Sequence, residues 1–326
     1  MRLKYDPAIV ASNFGGSGEG LHRKSLAAAA IRDTFGARFG PALGMQMCRL
    51  FAQRSLRSEG ARASLLGDGR SMASLSEQHP DGWGFASFGP SGVALHKQPL
   101  RAGDDPRFHA VAGAAEAPTL LCHIRKATHG GLAEENCHPF RLGRWVFAHN
   151  GTCYGFDGFR ERLIGEIRPS LRAHLRGQTD SEVLFLLLLS QLDADALQSD
   201  APLGFDALAA ASREATERIW KERPERHPAR CHDTDPTCLS FLLTDGEVLL
   251  AHQGGRPLCF SADLEAAEEP TCGAALRRLR VASEPLSCSE AWTHLEPFGM
   301  VGAEPAKVGA ALRLRRVSGI AHLPTL

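Results

Sequence analysis

This chain has no excess of either charge. Lys plus Arg and Asp plus Glu number 37 each, so the bulk charge points neither to nucleic acid nor to an anionic membrane. It has no run of 18 apolar residues; the best candidate, 183–189, is far too short to span a bilayer. The N-terminus lacks the apolar core of a signal peptide, because Gly15–Gly20 is polar and Gly/Ser-rich. A phosphate loop is missing too: Gly18 precedes Lys24-Ser25 at the right distance, but Arg23 stands where the second glycine must be. Nine cysteines, an odd number without regular spacing, exclude a disulfide scaffold and fit the reduced thiols of a cytoplasmic protein. His123, His129, His138 and His149 match no HExxH or Cys/His zinc spacing, and Cys231-His232 with Cys238 is equally loose. No metal and no cofactor is therefore expected. There is no internal repeat and no linker between two domains.

What is present is a chain of 326 residues, 43% hydrophobic and 23% charged, enough for a sizeable core. Residues 1–47, rich in Gly, Ala and Arg up to Gly40-Pro41-Ala42-Leu43-Gly44, differ from the rest. They are read as an N-terminal extension: a propeptide, a flexible segment or a start codon placed too early. Residues 48–326 are expected to form the functional domain. Strands are expected at 48–52, 84–88, 93–96, 119–124 and 144–148, bounded by Gly, Pro and Asp. Helices follow at 159–167, 182–192 and 205–220. The second is apolar on nearly every side and so buried, with Thr179-x-x-Glu182 as its capping box. Asp245-Gly246 suits a tight hairpin turn between 239–243 and 248–252. Strands are expected again at 279–283 and 311–315, and 221–237 reads as a surface loop. Strands, helices, then strands suggest packed α and β layers, an α+β fold rather than a Rossmann alternation.

Four short segments carry chemistry. Cys48 follows Met47 directly, in Met45-Gln46-Met47-Cys48. A cysteine in an apolar run is ordinarily a small buried hydrophobe, but this one is small enough for an initiator Met to be trimmed behind it. The exposed α-amine, with a pKa of about 7.7–8.0, could then accept the thiol proton with no histidine base. Arg125 is delivered by an apolar strand to Lys126-Ala127-Thr128-His129-Gly130-Gly131. Its guanidinium is either a surface charge or a clamp making two parallel hydrogen bonds to a carboxylate. Asn150-Gly151 is a strong turn signal. The same turn can aim an Asn amide and a Gly N–H at one point, as an oxyanion hole does. Asp180 is either a carboxylate favoured at a helix N-terminus or a counter-ion for a substrate ammonium.

In order and spacing, Cys48, His123-Ile124-Arg125-Lys126-Ala127-Thr128, Asn136-Cys137-His138-Pro139-Phe140, Phe147-Ala148-His149-Asn150-Gly151 and Thr179-Asp180-Ser181-Glu182 resemble the class II glutamine amidotransferases, which are N-terminal-nucleophile hydrolases. Asp81-Gly82-Trp83-Gly84 and Ala282-Ser283-Glu284-Pro285-Leu286 are similar to the small free-standing branch that includes the γ-glutamyl amidohydrolase of ergothioneine synthesis. The resemblance covers about residues 48–300. It implies a four-layer αββα sandwich. It also implies Cys48 as nucleophile and, through its α-amine, as base. Arg125 with Thr128 would hold the α-carboxylate of a glutaminyl group, Asp180 its α-ammonium, and Asn150 with Gly151 the oxyanion. The 47-residue extension departs from the pattern, since such a cysteine acts only at a chain terminus. The expected substrate is glutamine or a γ-glutamyl small molecule. Two alternatives stay open: a subunit supplying ammonia to a separate synthetase, and a glutamine-binding protein that kept the fold without turnover.

Overall fold

In the computed structural model, residues 48–199, 203–222, 237–265, 275–286, 290–306 and 311–319 are described. The expectations for 1–47 and for most of the loop at 221–237 lie outside them.

Side-chain parity along the strands sets the layers. Alternate residues of a strand point to opposite faces, and here both faces are apolar. On β1 (Arg49–Glu59), Leu50 and Ala52 enter one core while Phe51 enters another. On β2 (Trp83–Gly89), Ala86 and Phe88 face the first core, Trp83 and Phe85 the second. β3 (Gly92–Gln98) pairs with β2, and β4 (Ala117–Ile124) lies between β2 and β1. The second core is closed by α1 (Arg62–Leu66), α2 (Met72–Leu75) and α3 (Pro106–Ala114), through Leu65, Met72 and Phe108. These three helices fall in segments where no periodicity marked a helix. Two span a single turn, and α3 is announced only by Asp105, which caps it, and by Pro106 in its first turn.

The same alternation recurs beyond. β5 (Phe140–Leu142) edges β6 (Trp145–Thr152), which sends Val146 and Ala148 into the first core and Trp145 and Phe147 into a third. That third core is covered by α4 (Arg160–Glu166), α5 (Pro169–Arg172), α6 (Asp180–Ser190) and α8 (Phe205–Glu222), with α7 (Ala194–Gln198) connecting the last two. α6 buries Val183 through Leu189 without interruption, at about 1.5–3 kcal/mol for each large apolar side chain. β7 (Cys238–Thr244) and β8 (Leu249–His252) extend this side, as do β12 (Met300–Pro305) and β13 (Leu312–Val317). β9 (Cys259–Leu264), β10 (Leu276–Ala282) and the short β11 (Thr293–His294) extend the other. The backbone path runs β3-β2-β4-β1-β10-β13-β12-β8-β7-β6-β5, and β10 meets β13 at one recorded pair, Leu276 with Leu312. Helices, sheet, sheet, helices: three apolar cores separate four layers, the αββα order that the family resemblance implies.

Two local expectations are corrected. The Thr179–Glu182 capping box is half made. The Thr179 hydroxyl accepts from the Glu182 N–H at 3.2 Å, but the Glu182 carboxylate accepts from the N–H groups of Arg176 and Gly177 instead of that of Thr179. Asp245-Gly246 does not form a two-residue turn either. β7 ends at Thr244 and β8 starts at Leu249, and the Asp245 carboxylate accepts from the N–H groups of Glu247 and Val248, widening the connection.

Close backbone approach is built in at Gly84, opposite His123 on β4. A Cβ there would stand 1.9 Å from the His138 carbonyl oxygen. Gly84→Ala is expected to destabilise the protein by about 2–3 kcal/mol through forced separation of backbone, read as a fall in the midpoint of chemical unfolding.

Candidate active site

β1 is flanked by β4 and β10, so its N-terminal end emerges among the strand ends where the sequence motifs lie. Cys48 stands one residue before β1 and is 7% exposed. Its thiol donates to the Lys126 carbonyl at 3.3 Å and accepts from the Lys126 N–H at 3.2 Å. Burial pushes this thiol up to about 11. The Lys126 hydrogen bond and the Arg125 charge oppose that, and the Asp180 charge adds to it.

Arg125 follows β4 directly and is 3% exposed. Its Nη1 donates to the Gly131 carbonyl at 3.1 Å, and its Nη2 to those of His129 and Gly130 at 2.9 and 3.2 Å. Both Nη2 protons are thus engaged, and the guanidinium scaffolds the glycine loop. A two-bond clamp on a carboxylate through Nη2 requires one of these carbonyls to be released. Asp81 supports the same segment, accepting from the Ala127 N–H at 2.8 Å. Thr128 is exposed and accepts from the Thr152 hydroxyl at 3.1 Å, which ties this loop to the end of β6.

Asn150-Gly151 is not a turn. Both residues lie inside β6, Asn150 opposite Ser240 and Gly151 opposite Leu239 of β7. The glycine serves close approach: a Cβ on it would stand 1.8 Å from the Cys238 carbonyl oxygen. Asn150 shares the parity of Val146 and Ala148, so its side chain enters the space between the sheets. There Nδ2 donates to Ser283 Oγ at 3.4 Å, while the buried Oδ1 has no hydrogen-bond partner. Ser283 Oγ also accepts from the Leu50 N–H at 2.9 Å. Ser283 thus links the Asn150 amide to the strand that carries Cys48, a link between residues 133 apart that no local signal predicts.

Asp180, 3% exposed, opens α6. Its Oδ2 accepts from the Cys153 N–H at 2.7 Å and its Oδ1 from the Ser181 hydroxyl at 3.0 Å. The contacts chain together: Cys48 to Lys126, Thr128 to Thr152, Cys153 to Asp180, Asn150 through Ser283 to Leu50. All six residues chosen from the sequence therefore gather at one end of the two sheets. Among the described residues no group of three or more His, Cys, Asp or Glu is placed to hold a metal ion, and no helix is long and apolar enough to cross a membrane.

Comparisons with known proteins bear on the family and the fold. Residues 47–219, more than half of the chain, match the family model described as glutamine amidotransferases class-II. The chain is 29% identical over 202 residues to the probable glutamine amidotransferase DUG3 of Saccharomyces cerevisiae, covering 59% of this chain and 56% of that protein. It is 34% identical over 119 residues to the putative glutamine amidotransferase YafJ of Escherichia coli, covering 35% and 43%. The match thus spans about half the length of these curated relatives. Among solved structures, a glutamine aminotransferase class-II domain protein from Silicibacter pomeroyi superposes with a TM-score of 0.53 at 25% identity, covering 82% of this chain and 98% of that one. The glutamine phosphoribosylpyrophosphate amidotransferase of Bacillus subtilis gives a TM-score of 0.51 at 17% identity over 82% of this chain and 49% of that one, a likeness of fold.

Proposed function

This chain belongs to the class-II glutamine amidotransferases, and from that premise we propose that it cleaves the γ-amide of glutamine or of a γ-glutamyl small molecule through a thioester on Cys48. The observation that carries the reading is the hydrogen-bonded chain joining Cys48, the Arg125 loop, Asn150-Gly151 and Asp180 at one end of the sheets.

A thiol held near 11 is protonated at neutral pH, so attack needs a base in contact with it. The α-amine of Cys48 fills that role in a chain that starts there, and the activity is assigned to a form lacking residues 1–47. The amine takes the thiol proton as Sγ attacks the γ-carbonyl. The Asn150 amide and the Gly151 N–H receive the developing oxyanion. The tetrahedral species collapses, the amine passes its proton to the departing nitrogen, and water hydrolyses the γ-glutamyl thioester. The remaining N–H groups of Arg125, with Thr128, hold the α-carboxylate, and Asp180 holds the α-ammonium. The reaction uses no cofactor.

The test is to weigh the protein as its own host makes it and to assay glutamate release from glutamine and from a γ-glutamyl anilide. A mass starting at Cys48, with release of glutamate, is the expected result; preference for the anilide marks a free-standing hydrolase. An intact Met1 with glutamine binding and no turnover overturns the reading in favour of a binding protein. Turnover stimulated by a co-purifying protein reassigns the chain as an ammonia-supplying subunit.

A further inference from the structure

Asn136 bonds two segments of the site, yet takes no part in the proposed mechanism. Its side chain is buried, the residue being 3% exposed. Nδ2 donates to the Gly131 carbonyl at 3.2 Å, the same oxygen that accepts from Arg125 Nη1 at 3.1 Å. Oδ1 accepts from the Gln178 N–H at 3.1 Å, just ahead of Thr179 and Asp180. A carbonyl on one side and an N–H on the other leave the amide a single orientation. Both segments touch it at glycines: a Cβ on Gly130 would stand 2.8 Å from Nδ2, and one on Gly177 2.7 Å from Oδ1. One buried amide is thus wedged between the loop that Arg125 grips and the turn that leads into α6.

The backbone that carries this amide is held from elsewhere. Asn136 ends a short 3₁₀ turn, Glu134–Asn136, in which its N–H donates to the Ala133 carbonyl at 3.1 Å and the Cys137 N–H to that of Glu134 at 3.0 Å. The Cys137 carbonyl accepts from Lys97 Nζ of β3 at 3.0 Å, and His138 Nδ1 accepts from the His149 N–H of β6 at 3.3 Å. Strands outside both joined segments therefore fix the amide, and the glycine loop and the entry to α6 are set against it. The α-carboxylate and α-ammonium of a glutaminyl group leave one carbon, so the groups that receive them must keep one spacing. The Cys153 N–H and the Ser181 hydroxyl orient the Asp180 carboxylate on its helix; the Asn136 amide places that helix entry relative to the Arg125 loop. We propose that Asn136 is a positioning residue that sets the spacing between these two grips, so that a glutaminyl group is held by both ends at once. This inference rests on the reading of Arg125 and Asp180 as the grips.

The consequence is selectivity for an α-amino acid. Two ends held together bind far better than either alone, because the second contact is made within a complex already formed. Loosening the spacing spares each single contact and removes the joint gain. An amide that carries only the carboxylate or only the ammonium meets one grip and does not sense the spacing. Asn136→Asp is the sharper probe: it keeps an oxygen for the Gln178 N–H and sets a second oxygen against the Gly131 carbonyl. Two acceptors then face each other, so the glycine loop is pushed away while the turn into α6 stays. Asn136→Ala removes both bonds.

The experiment follows ammonia release from L-glutamine by the protein as its host produces it, with two competitors: glutaramate, which lacks the α-ammonium, and 4-aminobutanamide, which lacks the α-carboxylate. Thermal unfolding of each variant is recorded alongside. For Asn136→Asp the expected result is a KM for L-glutamine raised about tenfold with kcat within about threefold. Both competitors should keep inhibition constants within about twofold of those for the unsubstituted protein, since each uses one grip. Asn136→Ala should show the same split. An unchanged KM, a fall in kcat alone, or equal weakening of glutamine and both competitors makes Asn136 merely structural and overturns the proposal alone. Loss of folding in both variants assigns the amide to stability and overturns it too. No ammonia from glutamine with the unsubstituted protein overturns the glutaminyl reading of the site and the proposal with it.

Discussion

Cys48→Ala is expected to abolish amide hydrolysis, lowering kcat by about 10⁴-fold or more, as loss of a catalytic nucleophile does, while the protein stays folded. The substitution removes the sulfur and its two contacts with Lys126 and nothing from the ladders on either side of β1. The stability cost should be about 1 kcal/mol. Glutamine binding should survive, since Arg125, Thr128 and Asp180 are untouched, so three readings on one variant separate chemistry from folding and binding: glutamate release, calorimetry and thermal unfolding. Unchanged turnover would remove the thiol from the mechanism.

Asn150→Ala should lower kcat by about 10²–10³, with KM within a few-fold, because an oxyanion donor acts on charge that develops only after attack. Its effect on stability should be unlike that of most buried substitutions. Oδ1 is buried without a partner and Nδ2 makes one long bond, 3.4 Å, to Ser283. An orphaned buried acceptor costs about 1–3 kcal/mol, so its removal should leave Tm unchanged or raise it. A gain in Tm with a loss in kcat is the mark of a group kept for chemistry. A large fall in Tm with proportionate loss of activity would instead make Asn150 a structural residue.

The layered order was implied by the family resemblance, and the sequence agrees with it: nearly every strand residue between Trp145 and Ala148 and between Leu239 and Leu243 is apolar, as strands with two covered faces require. The six candidate residues were chosen from the order of their motifs, and the structure brings them to one end of the sheets. The sequence misled where a local preference met a longer-range demand. Asn150-Gly151 has the chemistry of a turn, yet the Cys238 carbonyl lies so near that only glycine fits, and pairing with β7 keeps both residues in a strand. Glu182 had the spacing of a capping box, but the turn at Arg176-Gly177 offers its carboxylate two N–H groups. The contacts of Ser283 and of Asn136 depend on partners from other segments, and no spacing encodes them. Helices α1–α3 escaped because too few turns carry a period.

On the proposed mechanism the two sheets divide the reaction between them. The attacking sulfur comes from β1 and its neighbours, the oxyanion amide from β6, and between them lies an apolar layer that includes Ala52, Val146, Ala148, Leu242 and Val281. On that mechanism the thickness of the layer sets the distance between the attacking sulfur and the oxyanion amide. A shift of about 1 Å at a reacting centre can cost on the order of 10²-fold in rate, so a methyl group gained or lost in mid-core acts on turnover without meeting the substrate. On that mechanism a change in the volume of the interior is expected to be read out as a change in turnover.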